Sequence, residues 1–135
     1  MPPKISSKYD RNIQSIKEQN MAFSYVYFDR MDKDYCVDKC KSKYFIALLD
    51  RLKDLSIWTV KRFQTKSTKS LRNHPINWEE ERVSRDSFGI PWDEGIEENA
   101  WQFSISANEN GRVIGFFIGN IFYIRWLDKN HNTYR

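Results

Sequence analysis

The chain has 135 residues, 40% of them hydrophobic and 30% charged, with a formal net charge of +4, the size and balance of one ordinary globular domain. No window approaches the roughly eighteen continuous apolar residues that a membrane helix requires, and MPPKISSKYDRN holds no apolar signal-peptide region, so a cytoplasmic protein without membrane association is expected. Two cysteines, Cys36 and Cys40, are too few for a disulfide framework and suit a reducing compartment.

Residues 1–9 read as disordered, and DRNIQSIKEQ at 10–19 as a short helix with Ile13 and Ile16 on its apolar edge. AFSYVYFD at 22–29 has the aromatic and β-branched content of a strand. From about 40 to 54 the positions Phe45, Leu48, Leu49, Leu52 and Leu55 follow helical spacing and predict a core-facing helix. Ser56 can cap a second helix over 57–64 that turns Ile57, Val60 and Phe63 inward.

Between 65 and 100 no period persists, and His74-Pro75, Gly89 to Pro91 and Gly95 punctuate the chain. The stretch reads as a long acidic loop or insertion, packed down by Trp78, Phe88 and Trp92. Residues 78–100 hold eight acids against Arg82 and Arg85, a net of −6, which leaves +10 on the remainder. Such segregation points toward a polyanionic partner, or toward a segment that folds over the basic sheet as a self-shield.

The last third is a three-stranded antiparallel meander over 101–107, 112–118 and 121–127. WQFSISA alternates apolar and polar residues, Asn108 to Gly111 supplies a turn, and Gly119-Asn120 supplies a two-residue hairpin loop. The expected fold is a single α+β domain, an antiparallel sheet of the 22–29 strand and the meander packed on two helices. A period of two sorts the hairpin into an apolar face, with Val113, Gly115, Phe117, Phe122, Ile124 and Trp126, and a second face with Arg112, Ile114, Phe116, Ile118, Ile121, Tyr123, Arg125 and Leu127. In this register Ile114 pairs with Arg125, and Arg112 lies diagonal to Arg125.

Guanidinium forks match phosphate oxygens and aromatic planes match bases, so Arg112 and Arg125 beside Tyr123 and Phe116 suit a nucleic acid. Pairing of the arginines with the nearby acids is the alternative. KRFQTKSTKSLRNHP adds Lys61, Arg62, Lys66, Lys69 and Arg72 with no acid among them, an electrostatic footprint for RNA or DNA. Cys36, Cys40, His74 and His131 complete a Cys2His2 inventory, but the two histidines lie far apart in sequence. Ordinary thiols, with no metal and no cofactor, are expected. Nucleotide-hydrolysis, dinucleotide-binding, α/β-hydrolase and zinc-protease motifs are absent.

The order strand, two helices, meander, closing on RVIGFFIGNIFYIRW and a tail with HNTY, resembles the RelE-like toxins of bacterial toxin–antitoxin systems. That resemblance implies a metal-free endoribonuclease acting on mRNA at the ribosome and held in check by a cognate antitoxin, protein or RNA. It also implies His131 and Tyr134 as catalytic groups, with Arg112 and Arg125 holding the phosphate; His74 is the alternative imidazole. An imidazole is suited to acid or base work near neutral pH. The competing class is a non-catalytic phage or mobile-element interaction protein, an inhibitor or accessory subunit, that binds nucleic acid or a nucleoprotein.

Overall fold

Strands β4 (Arg112–Ile118) and β5 (Ile121–Asp128) fold back on each other through Gly119 and Asn120, with Gly119 at φ 62, a conformation that the absence of a Cβ permits. The structure is a computed structural model that describes residues 15–91 and 95–134. The expected disorder at 1–9, the first half (10–14) of the expected 10–19 helix and Trp92 lie outside the described residues. Near the turn the pairs are those expected from the loop, Ile118 with Ile121 and Phe116 with Tyr123. Then β5 carries one residue too many: Gly115 pairs with Ile124, Ile114 with Trp126, and Arg125 stands between them.

Beyond that bulge the parity of β5 reverses. Trp126 packs with Ile114 and Phe116 on the second face, while Leu127 packs with Val113 and Phe117 on the first. Both placements correct the simple alternation, and Arg112 lies opposite Asp128 instead of diagonal to Arg125.

Strand β3 (Ala100–Ser104) pairs antiparallel with β4, and a two-residue β2 (His74–Pro75) pairs antiparallel with β3. On the other side β1 (Ala22–Ser24) runs parallel to β5. The sheet is therefore mixed, ordered β1-β5-β4-β3-β2, where an antiparallel sheet was expected. No hairpin ties β1 to a neighbour that lies about a hundred residues away, so its direction follows from packing alone. The strand is also shorter than the expected 22–29: the Phe28 amide bonds to the Tyr25 carbonyl, and the Asp29 amide then returns to the Arg125 carbonyl at the bulge.

Helices α1 (Ser42–Leu55) and α2 (Val60–Thr65) cover the first face. The buried stripe of α1 is Tyr44, Leu48, Leu52 and Leu55; Phe45 and Leu49, expected inside, are turned outward. Ser56 closes α1, its amide bonded to the Leu52 and Lys53 carbonyls, and Thr59 caps α2 by accepting the Arg62 amide at 3.1 Å. The second helix thus starts later than expected, and Ile57 is exposed while Val60 and Phe63 are buried. Phe63 meets Trp101, Phe103, Phe117 and Phe122 at ring distances of 5.4 to 6.3 Å, a contact that ties the short helix to three strands.

Within the stretch 65–100 the residues from Ile76 onward form the second layer, while Leu71 packs on the helix side. Ile76, Phe88, Ile90 and Ile96 pack on Ala100, Ile114, Phe116 and Trp126, so among the described residues the sheet is covered by apolar side chains where an acidic self-shield was weighed. Arg85 clamps this layer. It donates to both Asp32 carboxylate oxygens at 2.8 Å and to Asp34 at 2.9 Å, with its guanidinium 5.1 Å from the rings of Tyr35 and Trp126. Tyr35 in turn stacks on Trp126 at 4.6 Å.

A Cβ on Gly115 would lie 2.0 Å from the Tyr123 carbonyl oxygen and 2.7 Å from the Phe122 ring, with strand backbone unable to yield. Gly115→Ala is expected to cost about 3 kcal/mol, read as a lower urea midpoint with unchanged slope. The Arg85 hydrogen bond holds the Asp32 carboxyl below its ordinary value. A depressed folded pKa stabilises above the ordinary carboxylate range and that stability is lost as pH falls. Arg85→Gln should therefore destabilise at pH 7, with a difference from wild type that shrinks below about pH 4, measured by denaturation across pH.

Candidate active site

Asp128, at the end of β5, is 1% exposed, and its carboxylate oxygens accept the amides of Asn132 at 2.7 Å and Thr133 at 2.9 Å. Two charge-assisted bonds from one buried carboxylate turn the chain sharply, with His131 at φ 56. The tail then runs back along residues 83–84. Ser84 donates from its amide to the Thr133 carbonyl at 2.7 Å and from its hydroxyl to the Asn132 carbonyl at 2.6 Å, and Val83 bridges to Tyr134. The Thr133 and Tyr35 hydroxyls share a bond of 2.9 Å, and the Asn132 side chain donates to the Asp34 carbonyl at 2.7 Å.

Folded in this way, the tail forms one wall of a pocket of about 420 Å³, a volume in the range of small-molecule sites. His131 and Tyr134 come from the tail, His74 from β2, Gln102 from β3, Arg112 from β4, and Arg82 from the second layer. His74 Nδ1 faces the Pro75 carbonyl at 2.8 Å and so carries a proton, while Nε2 meets the Gln102 side-chain nitrogen at 2.8 Å. The ring is thereby held in one orientation.

Tyr134 stands edge-on to the His74 ring at 5.5 Å, with the Arg82 guanidinium 5.6 Å from its own ring. Its hydroxyl accepts the Asn77 amide at 3.2 Å. Burial raises the phenol above its ordinary pKa, so near neutrality Tyr134 is a hydrogen-bond donor and not a phenolate.

The cations of the pocket differ in their freedom. Arg82 pairs with Glu80 at the mouth. Arg112 is half-buried and donates to the Ser104 hydroxyl at 2.5 Å, with no carboxylate within ion-pair distance among the described residues. Burial holds its guanidinium below the ordinary value, and the charge of Arg72 adds to this while that of Asp128 opposes it. Asp128 faces Arg112 across the ladder but spends its oxygens on the Asn132 and Thr133 amides and makes no ion pair with it.

Of the residues expected at the site, Arg112, His131, Tyr134 and His74 come together, and Arg125 does not. Its guanidinium donates to the Phe88 carbonyl at 2.8 and 3.1 Å and to the Tyr27 carbonyl at 2.9 Å, with Asp29 at 3.8 Å. Those bonds join the bulge to the second layer and leave the side chain no role with a ligand. Phe116 is fully buried and Tyr123 half-buried, stacked on each other at 5.4 Å beneath Tyr27, so neither offers a free plane to a base. Lys61, Arg62, Lys66 and Lys69 are exposed, Arg62 lying 3.9 Å over Trp58, while Arg72 lines a second, smaller pocket that adjoins the first at Arg112 and His131.

Gln102, Arg82 and Asp128 were not singled out from the sequence. The polar alternation of WQFSISA placed Gln102 and Ser104 on the side away from the helices, which was the available signal; Asp128 had none. Cys36 and Cys40 are free thiols. Among the described residues no three His, Cys, Asp or Glu side chains are grouped to hold a metal ion, and no helix is long and apolar enough to cross a membrane. Comparison with protein-family models, with characterised proteins and with solved structures gives no match.

Replacing Asp128 by Asn exchanges one acceptor for an amide that faces a donor. Asp128→Asn is expected to weaken the turn by about 3 kcal/mol, seen as roughly hundredfold faster hydrogen exchange at the Asn132 and Thr133 amides with the strand amides unaffected.

Proposed function

We propose that the protein is a metal-free endoribonuclease, a RelE-like toxin that cuts mRNA in the cytoplasm and is restrained by an antitoxin. The observation that carries this reading is the convergence of two imidazoles, a neutral phenol and an unpaired arginine on one pocket that only the folded-back tail completes. These are the groups that transesterification of RNA requires, since the 2′-hydroxyl must lose a proton, the leaving oxygen must gain one, and charge builds on the phosphate between.

In this reading the ribose 2′-oxygen attacks the adjacent phosphorus as one imidazole takes its proton. The bond from phosphorus to the 5′-oxygen breaks as the second imidazole protonates that oxygen, leaving a 2′,3′-cyclic phosphate and a 5′-hydroxyl. His131, exposed and without a hydrogen-bond partner among the described residues, takes the acid role. His74, held by Pro75 and Gln102 with Nε2 toward the pocket side of β3, takes the base role once Gln102 yields to substrate. Arg112 holds the non-bridging oxygens, and Tyr134 donates to the phosphate or the ribose. The exposed Lys61, Arg62, Lys66 and Lys69 supply a non-specific attraction for the strand or for ribosomal RNA.

His131→Ala is expected to lower RNA cleavage by about 10²- to 10⁴-fold, and Arg112→Gln by about 10²-fold or more. Arg125→Gln lowers stability and leaves cleavage by the remaining folded protein unchanged. A gel assay on a labelled oligoribonucleotide with chelator present, together with growth on expression, checks all three. Growth arrest that His131→Ala leaves intact, or RNA binding without cutting, rejects the nuclease in favour of a non-catalytic nucleic-acid-binding protein.

A further inference from the structure

Beside the main pocket lies a second of about 140 Å³, too small for a ligand of ordinary size and adjoining the first at Arg112 and His131, which line both. Its floor is Ser104 on β3, and its far wall is Arg72 with the 106–111 loop. Arg72 is exposed, donates from Nε to the Lys69 carbonyl at 3.2 Å and pairs with no carboxylate among the described residues. Two guanidinium groups thus face one small volume, neither in an ion pair among the described residues, and the charge of Arg72 disfavours the charged form of Arg112 while the buried Asp128 carboxylate opposes that effect. Neighbouring like charges of this kind are relieved by an anion.

The backbone is unusual at the same place. Among the described residues three other than glycine have positive φ: Arg72 at 49, Asn110 at 71 and His131 at 56. Arg72 and His131 line the small pocket, and Asn110 sits in the loop that forms its wall, donating to the Ser106 hydroxyl at 3.2 Å. Each such conformation costs about 1 kcal/mol or more and persists where the surroundings enforce it. Two of them, Arg72 and His131, line the cavity itself, a costly arrangement to hold for a mere surface depression.

We propose that the small pocket is a second phosphate subsite, in which Arg72 holds the phosphate next along the strand from the one held by Arg112 and His131. The site then takes a ribonucleotide strand with at least two consecutive phosphates, the larger pocket receiving the nucleoside between them; this rests on the RNA-cleavage reading of the main pocket. Glu109 also lines this pocket, so the subsite holds a carboxylate beside its two guanidinium groups.

Titration calorimetry with adenosine 3′,5′-bisphosphate and with the 3′- and 5′-monophosphates tests the subsite without any turnover. The bisphosphate is expected to bind at least tenfold more tightly than either monophosphate. Arg72→Gln, at an exposed position, should bring the three within about twofold while leaving the monophosphates unchanged, and Arg112→Gln should weaken all three. A wild type with no preference for the bisphosphate, or an Arg72→Gln effect equal on all three ligands, overturns the proposal. A bisphosphate preference in a protein that cuts no RNA keeps the subsite and removes the nuclease, whereas cutting without the preference removes the subsite alone.

Discussion

One surplus residue in β5 sets the geometry on which everything else in the molecule rests. Arg125 has no partner on β4, and an unpaired residue in an antiparallel ladder bends the strand and exchanges its two faces from that point onward. Without the exchange, Trp126 would lie among the residues under the helices, where Phe63 already packs against four aromatic rings. With it, Trp126 supplies the floor of the second layer, stacked on Tyr35 and touching Phe88. Asp128 turns to the same side as Arg112, which is what brings the tail and the pocket together. The bulge is held in place by its own side chain, since the three carbonyl bonds of Arg125 reach the Phe88 and Tyr27 backbones.

A five-stranded sheet with helices on one face would leave its second face to solvent. Here a stretch with almost no regular structure fills that role, because its apolar side chains, Ile76, Phe88, Ile90 and Ile96, are spaced irregularly and reach the sheet from separate turns. Such a layer has few backbone bonds of its own and depends on polar fastenings. Arg85 on Asp32 and Asp34 is one, the Trp78 indole donating to the Glu97 carbonyl at 2.9 Å is another, and Ser84 on the tail is a third. The tail is therefore part of the second layer, bridged to Val83 at Tyr134, as well as a wall of the pocket, and its two roles share the carboxylate of Asp128.

The arginines divide by their surroundings. Arg85 and Arg125 are saturated by carboxylates or carbonyls and hold layers together, and Arg51 does similar work, donating to the Ile105 and Ser70 carbonyls at 3.0 and 3.2 Å. Arg112 and Arg72 make no ion pair among the described residues and stand beside two adjoining cavities. A buried or half-buried guanidinium without a partner is unfavourable by the cost of removing its charge from water, and sites that bind anions accept that cost. The pairing of the hairpin arginines with acids of 78–100, weighed from the sequence, is not found among the described residues: the carboxylate near Arg125 is that of Asp29, from the β1 side.

The meander, the hairpin loop and the two helices were legible in the sequence because each depends on neighbours within a few residues, where periods of 2 and 3.6 speak directly. His74, His131, Tyr134 and Arg112 could be named as candidates by residue type alone. What the tertiary structure decided was which of them meet. A bulge leaves no mark on an alternating strand, so the switch at Arg125 and the partners of Trp126 and Asp128 were hidden. The parallel pairing of β1 and the covering of Phe116 by Phe88 and by Tyr27, far upstream, are long-range choices made by packing. The helix face shifted by one position, Tyr44 for Phe45, because both satisfy the same apolar spacing and only the sheet beneath selects between them. Local chemistry thus determined the elements and the inventory of reactive side chains, while the pocket came from contacts between residues far apart in the chain, which no local period encodes.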